Sequence, residues 1–136
     1  SHKHARRIWS LKDNPELRFM ALKDFDQDMI TLIKRGSVLR YAPTQLYVSD
    51  SQKVLIFGRG RFIFALNFSP VHSFTDFEFC APSGEYRIAL NTDAKNYDGF
   101  GRIDESVHHF TSRKDGGDKL SLYLPSRSAI VLEKIR

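Results

Sequence analysis

The sequence predicts a mainly β chain: an antiparallel Greek-key β-sandwich of about seven to eight strands, preceded by an N-terminal helical segment. Three observations carry this. From Gln45 onward, short runs rich in β-branched and aromatic residues recur between turn residues. One run, Phe62–Phe68, is apolar on both sides, which places it centrally in a packed sheet. Ahead of the strands, residues 15–34 repeat apolar side chains at three- and four-residue steps.

The helical signal starts at Asp13-Asn14-Pro15-Glu16, where a polar cap, a first-turn proline and an acid suit a helix N-terminus. Leu17, Met20, Ala21, Phe25, Met29 and Leu32 make one apolar stripe, with Asp24–Asp26 as a candidate break. Lys34-Arg35-Gly36 is the stop. The other side carries Phe19, Leu22, Ile30 and Ile33, so the helix is built to lie between two surfaces and implies a neighbouring domain. Val38–Thr44, with Pro43, reads as a connector. The division expected is a helical segment over 1–43 and an all-β domain over 44–136.

Val54–Phe57 and Phe62–Phe68 flank Gly58-Arg59-Gly60 as a hairpin. Phe77 and Phe79 alternate with polar residues, Pro82-Ser83-Gly84 turns the chain, and Tyr86, Ile88 and Leu90 share one side. Asn91–Arg102 is a long polar loop. Val107–Thr111 is a weak strand and Asp115-Gly116-Gly117-Asp118 a tight turn. Leu120, Leu122 and Leu124 alternate before Pro125-Ser126, and Ala129–Leu132 is the last apolar run.

With 136 residues, the chain is one domain, or one domain with a short appendage. Hydrophobic content of 41% and charge of 27% are those of a soluble globular protein. The net charge of +5 is misleading until it is located. Lys3, Arg6, Arg7 and Lys12 supply most of it, whereas the folded body is nearly neutral, which argues against a nucleic-acid partner. No apolar run approaches the roughly 20 residues that cross a bilayer, so no membrane partner is expected. The first residues lack the apolar core of a signal peptide, and Ser1 in place of Met suggests processing, a tag or an excerpt. The single Cys80 allows no internal disulfide and fits a reducing, cytoplasmic location.

No phosphate loop, zinc-protease helix or nucleophile elbow is present. Gly58-Arg59-Gly60 is followed by no helix and is a turn. His108 and His109 are adjacent on a strand and point to opposite faces, so they do not share a metal. Asp24, Asp26 and Asp28 do not face one another on a helix and read as a solvated edge or as ion pairs with Lys23 and Arg18. Cys80 reads as a small half-buried residue. The expectation is no catalytic residue, no metal and no cofactor. The loop Asn91–Asp104 stands out. Tyr97 and Phe100 offer flat faces, and the loop's acids and Arg102 hydrogen-bonding groups, the equipment for a sugar ring. The alternative is a loop folded over the sandwich edge with its aromatics as plugs.

Several pieces in order resemble the C-terminal end of 1,4-α-glucan (glycogen) branching enzymes. Arg6-Arg7-Ile8-Trp9-Ser10-Leu11, Asn14-Pro15-Glu16-Leu17-Arg18 and Phe25-Asp26-Gln27-Asp28-Met29 look like the last helical segments of that family's catalytic barrel. Lys53–Phe57, Phe62–Pro70 with Asn67-Phe68-Ser69-Pro70, Ser73-Phe74-Thr75-Asp76, Gly84–Asp93, Tyr97-Asp98-Gly99, Arg102-Ile103-Asp104 and Leu124-Pro125-Ser126-Arg127 match its β-domain. The chain departs from the family at Asp98-Gly99-Phe100, where members often carry Gly-Gly-His, and Ser112–Asp118 is short. The resemblance implies a parent transferase, related to amylase-type glycoside hydrolases, that cuts α-1,4 glucan and forms α-1,6 branches in glycogen biosynthesis. Such retaining chemistry uses two carboxyl groups about 5 Å apart. In the family both lie on barrel strands, and neither maps onto this chain. The implied role is a non-catalytic domain that caps the missing barrel and touches α-glucan. The alternatives are the same domain of another amylase-type hydrolase, or a free-standing carbohydrate-binding module. A two-sided helix without its barrel also leads us to expect a homodimer.

Overall fold

A computed structural model describes residues 15–136, with side chains from Met20 onward. The cap at Asp13-Asn14, the basic excess of residues 1–12 and the piece Arg6–Leu11 lie outside the described residues, as do the side chains of Leu17, Arg18 and Phe19.

The helix α1 (Pro15–Arg35) runs unbroken through Asp24–Asp26. Nine strands follow among the described residues: β1 (Thr44–Ser49), β2 (Val54–Arg59), β3 (Phe62–Asn67), β4 (Phe74–Cys80), β5 (Glu85–Asn91), β6 (His109–Phe110), β7 (Ser112–Lys114), β8 (Gly117–Leu124) and β9 (Ser128–Lys134). One sheet has the order β1-β2-β3-β9-β5-β6 and the other β4-β8-β7, every pair antiparallel. The last strand thus slots between β3 and β5, the long return of a Greek key.

Helix, large sheet and small sheet form three layers with two apolar seams. Between the sheets lie Ile56, Ile63, Ala65, Ile88, Ile130 and Leu132 against Phe77, Phe79, Leu120, Leu122 and Leu124. Between helix and sheet, Phe25, Met29, Leu32 and Ile33 meet Val38, Phe62, Phe64, Leu90 and Val131. The two-sided character of β3 follows directly: Ile63 and Ala65 face one seam, Phe62 and Phe64 the other. Phe68, just past the strand, is exposed.

Three local expectations change. Gly58 pairs with Ile63 inside the ladder, so the hairpin turn is Gly60-Arg61, with Gly60 at φ 62°. Gly36 is not the left-handed residue closing α1; Ser37 is, at φ 50°. A Cβ on Gly36 would lie 2.2 Å from the Phe62 ring, so glycine is there to let the helix end settle on the sheet. Leu90 does not share a face with Ile88. A register shift between them turns Leu90 toward the helix, where it pairs with Val131.

The helix end is held by charge as well. Glu133 on β9, almost fully buried, takes ion pairs from Arg35 at 2.9 Å, Arg61 at 2.7 Å and Arg87 at 2.7 Å. Burial pushes its carboxyl up, but hydrogen bonds from Arg35 and Arg61 and the charges of Arg35 and Arg87 outweigh that and hold it at about 2. A depressed carboxylate stabilises the fold at pH values above its unfolded value of 4.5, and that stability is lost as pH falls toward about 2. The contribution is about 2–3 kcal/mol, an upper figure because the arginines are partly open to water. We expect urea unfolding between pH 6 and pH 2 to show this acid loss in the wild type. Glu133→Gln should be weaker at pH 6 by about 2 kcal/mol and lack that part of the slope. Parallel curves for the two proteins would remove Glu133 from this role.

Candidate functional site

The Asn91–Asp104 loop is wound around one buried carboxylate. Asn91 Oδ1 accepts the Asp93 amide at 2.9 Å, an Asx turn that swings Asp93 inward as β5 ends. Asp93 then accepts from the Arg102 amide at 2.8 Å, from the Arg102 guanidinium at 2.9 Å and from the Phe100 amide at 3.3 Å. Burial raises this carboxyl, yet the hydrogen bonds and charge of Arg102, with the Phe100 amide, hold it below the usual carboxylate range. Gly99 crosses so near that a Cβ would lie 2.1 Å from the Asp93 backbone, so only glycine passes.

Tyr97, Phe100 and Arg102 share this loop but not one surface. Arg102 spans from Asp93 to the Ser126 carbonyl at 2.9 Å, and its guanidinium lies 5.0 Å from the centre of the half-buried Phe100 ring. Tyr97 turns the other way. Its ring meets Phe25 edge-on at 5.2 Å, and its hydroxyl donates to Asp28 on α1. Burial, then Asp28, push that hydroxyl up to about 12.

The other sequence motifs converge on the β8–β9 turn. Asn67 donates to the carbonyls of His72 at 2.9 Å and Leu124 at 3.1 Å, and accepts the Ser69 amide. Ser126 donates its amide to Ser73 Oγ at 2.9 Å, and Arg127 donates to the Ser69 carbonyl. Asn67-Phe68-Ser69-Pro70, Asn91-Thr92-Asp93, Arg102 and Leu124-Pro125-Ser126-Arg127 are therefore parts of one scaffold.

Beside that scaffold, a cleft of about 200 Å³ opens between α1 and the short 3-10 turn Lys95–Tyr97. Met20, Ala21, Asp24, Lys95, Asn96 and Asp98 line it. Asp98 sits at φ 62°, and its Oδ2 is enclosed with no hydrogen-bond partner among the described residues. Asp98 is one of the loop acids expected to offer hydrogen bonds, but the cleft was not expected. Asp98-Gly99 signals a tight turn in the sequence, but nothing local says that α1 will face it. A second cleft of about 230 Å³, bounded by Leu46, Gly60, Phe62, Tyr86 and Lys134, lies at the β2–β3 turn end.

His108 pairs with Glu85 at 2.6 Å in solvent, whereas His109 is half-buried. Burial lowers the His109 imidazole, offset in part by the Ser121 backbone and reinforced by His108. The two rings do sit in different settings. Cys80 is exposed rather than half-buried, with Lys119 Nζ 3.0 Å from its sulfur, because it alternates with inward-facing Phe77 and Phe79 at a solvent-facing position of β4. Asp24 and Asp26 are solvent-exposed, as expected of an edge. Among the described residues no group of three or more His, Cys, Asp or Glu is placed to hold a metal, and no helix is long and apolar enough to cross a membrane.

Residues 47–135 match the family model described as alpha amylase, C-terminal all-beta domain. The chain is 37% identical over 139 residues to a 1,4-alpha-glucan-branching enzyme of Saccharomyces cerevisiae, covering 97% of this chain and 20% of that protein. The Dictyostelium discoideum enzyme of the same name is 35% identical over 140 residues, again 97% and 20%. The chloroplastic/amyloplastic enzyme of Oryza sativa subsp. japonica is 38% identical over 116 residues, 82% of this chain and 14% of that protein. The chain thus spans a fifth or less of these relatives. A solved cyclomaltodextrin glucanotransferase of three-domain ABC distribution aligns over 71% of this chain and 18% of its own, at TM-score 0.43 and 21% identity.

Arg102→Ala leaves the buried Asp93 charge without its cationic partner, with only backbone amides as donors, so it should cost about 3 kcal/mol or more in urea unfolding. Arg113→Ala, whose ion pair with Asp118 is at the surface, should stay within about 0.5 kcal/mol. Equal, small losses in both would mean that the loop does not depend on the Asp93 staple.

Proposed function

Because this chain belongs to the family of the alpha amylase C-terminal all-beta domain, we propose that it is the non-catalytic C-terminal domain of a 1,4-α-glucan branching enzyme. The relatives named as such match along nearly all of the chain, helix included. In this reading residues 1–43 close a catalytic barrel and 44–136 form the β-domain that caps it. The parent cuts α-1,4 glucan and makes α-1,6 branches in glycogen synthesis. The two carboxyl groups of that reaction belong to the barrel. Cytosolic placement goes with the same proposal.

The observation that carries the capping role is the uncovered apolar flank of α1. Leu22 is 57% exposed, Ile30 51% and Leu39, just beyond the helix, 69%, while Phe25, Met29 and Leu32 are packed on the sheet. Leu22 continues the row of the seated Met29 two turns nearer the N-terminus, and Ile30 lies beside that row. The seated face thus runs on into apolar side chains that nothing among the described residues covers, the pattern of an internal helix seen without its second neighbour. The sandwich already holds the seated flank, so the open one is left for the barrel.

Contact with α-glucan is assigned to the Asn91–Asp104 loop. Tyr97 and Arg102 serve there as struts, through Asp28 and Asp93, and Phe100 is shaped by the Arg102 head. Stiffening of this kind lowers the ordering cost of binding a flexible sugar chain.

Sedimentation velocity at several concentrations, with an apolar-sensitive dye, tests the capping role. The isolated chain should self-associate, as a homodimer through the open flank, and bind dye. Leu22→Glu with Ile30→Glu should stay folded, become monomeric and bind less dye. A wild type that is strictly monomeric with low dye binding would mean that the flank needs no partner, and the capping role would fall.

A further inference from the structure

We infer that the cleft between α1 and the Lys95–Tyr97 turn is a subsite for one glucosyl ring of an α-linked glucose oligomer, with Asp98, Asp24, Asn96 and Lys95 as its polar contacts. This rests on the reading that the parent protein handles α-glucan, and it moves the contact from Phe100 and Arg102 to a different set of side chains.

The chemistry of the lining selects the ligand class. Two carboxylates accept, an ammonium donates, and an amide does both. A cation would want acceptors alone and an anion donors alone. A mixed set around a small space suits hydroxyl groups, each of which gives and takes a hydrogen bond. Met20 and Ala21 supply a short apolar wall, fit for the C–H face of a sugar ring. The cleft, about 200 Å³, has room for one ring rather than a chain, so neighbouring rings would lie outside in solvent.

Asp98 makes the cleft more than a surface dent. Its Oδ2 is enclosed and unpartnered, an arrangement that costs stability unless a donor arrives. Its backbone is held at φ 62° between Tyr97, anchored to α1, and Gly99, pinned against Asp93. The backbone that carries the carboxylate is thus fixed before any ligand comes. Asp98 lines the cleft, so a small outward turn of its side chain would bring that oxygen to a sugar hydroxyl, which would supply the missing donor.

The cleft also stays open when the barrel is in place. At about 100° per residue, Asp24 lies roughly 120–160° around α1 from Leu22 and Ile30. A partner seated on the apolar flank therefore leaves the Met20–Asp24 flank facing solvent, beside the loop.

The test is a titration of the full 136-residue chain, ¹⁵N-labelled, with maltoheptaose, followed by amide shifts. The expected map centres on residues 20–24 and 95–99. Asp98→Gly, which keeps the left-handed backbone and removes the carboxylate, should weaken binding about tenfold or more. Asn96→Ala should weaken it about threefold or more, while Phe100→Ala should change it less than about twofold. If the shifts fall on residues 100–104 and Phe100→Ala weakens binding while both cleft variants are neutral, the subsite is overturned and glucan contact by the loop stands. If no amide moves up to millimolar sugar, glucan contact itself fails, and the subsite with it.

Discussion

A single buried carboxylate ties the helix to the sheet, and most of the architecture depends on that junction. Glu133 sits on β9, the central return strand, and gathers arginines from the end of α1, the β2–β3 turn and β5. Arg35 and Arg61 also lie over the Phe62 ring, at 5.9 and 5.0 Å, so charge and apolar packing converge at one point. Gly36 is the geometric condition for this, since any side chain there would strike that ring. Remove the junction and α1 keeps its apolar seam, Phe25, Met29, Leu32 and Ile33, and the Asp28–Tyr97 hydrogen bond.

At the opposite side of the helix–sheet seam, the motifs that mark the family turn out to be fasteners. Asn67 and Asn91 end β3 and β5 in the same way, each using its side-chain oxygen to take the amide two residues on. Each then hands the chain to the β8–β9 region, Asn67 through the Leu124 carbonyl and the Asn91 turn through Arg102 and Ser126. In this chain the turn geometry needs both asparagines. The presence of such a motif identifies a fold lineage and says little about a ligand.

Periodicity alone made much of this legible. Most strand positions, the helix α1 and the centrality of β3 follow from periods of 2 and 3.6 with turn residues between them, whereas the expected strand Val107–Thr111 is only His109–Phe110, with His108 outside it. What escaped were effects of tertiary register. The shift between Ile88 and Leu90 reverses the face of Leu90, and no local residue type announces it. Gly36 looks like a helix stop in sequence, and only the Phe62 ring shows why it is glycine. The Glu133 cluster joins residues from four separate parts of the chain, so no spacing could reveal it. For the loop, the sequence pointed to the right segment but to side chains that the fold uses internally. Tyr97 and Arg102 are spent on Asp28 and Asp93, while Asp98, one of the loop's acids, is left with an unsatisfied oxygen.

These assignments fit together only because α1 presents three different flanks. One is seated on the sheet through Phe25, Met29 and Leu32; one is apolar and open at Ile30 and runs into Leu22, which lies beyond the sheet in the row of Met29; one is acidic and faces the loop through Asp24 and Asp28. A helix that merely filled a groove would need one apolar stripe. A helix between two bodies needs two, and what remains is a narrow polar flank that neither body covers. Asp28 on that flank anchors Tyr97, which sets the loop at a fixed distance from the helix and so creates the cleft. The constraint that makes α1 a connector between layers is thus the same one that leaves a small, rigid, polar space at their edge.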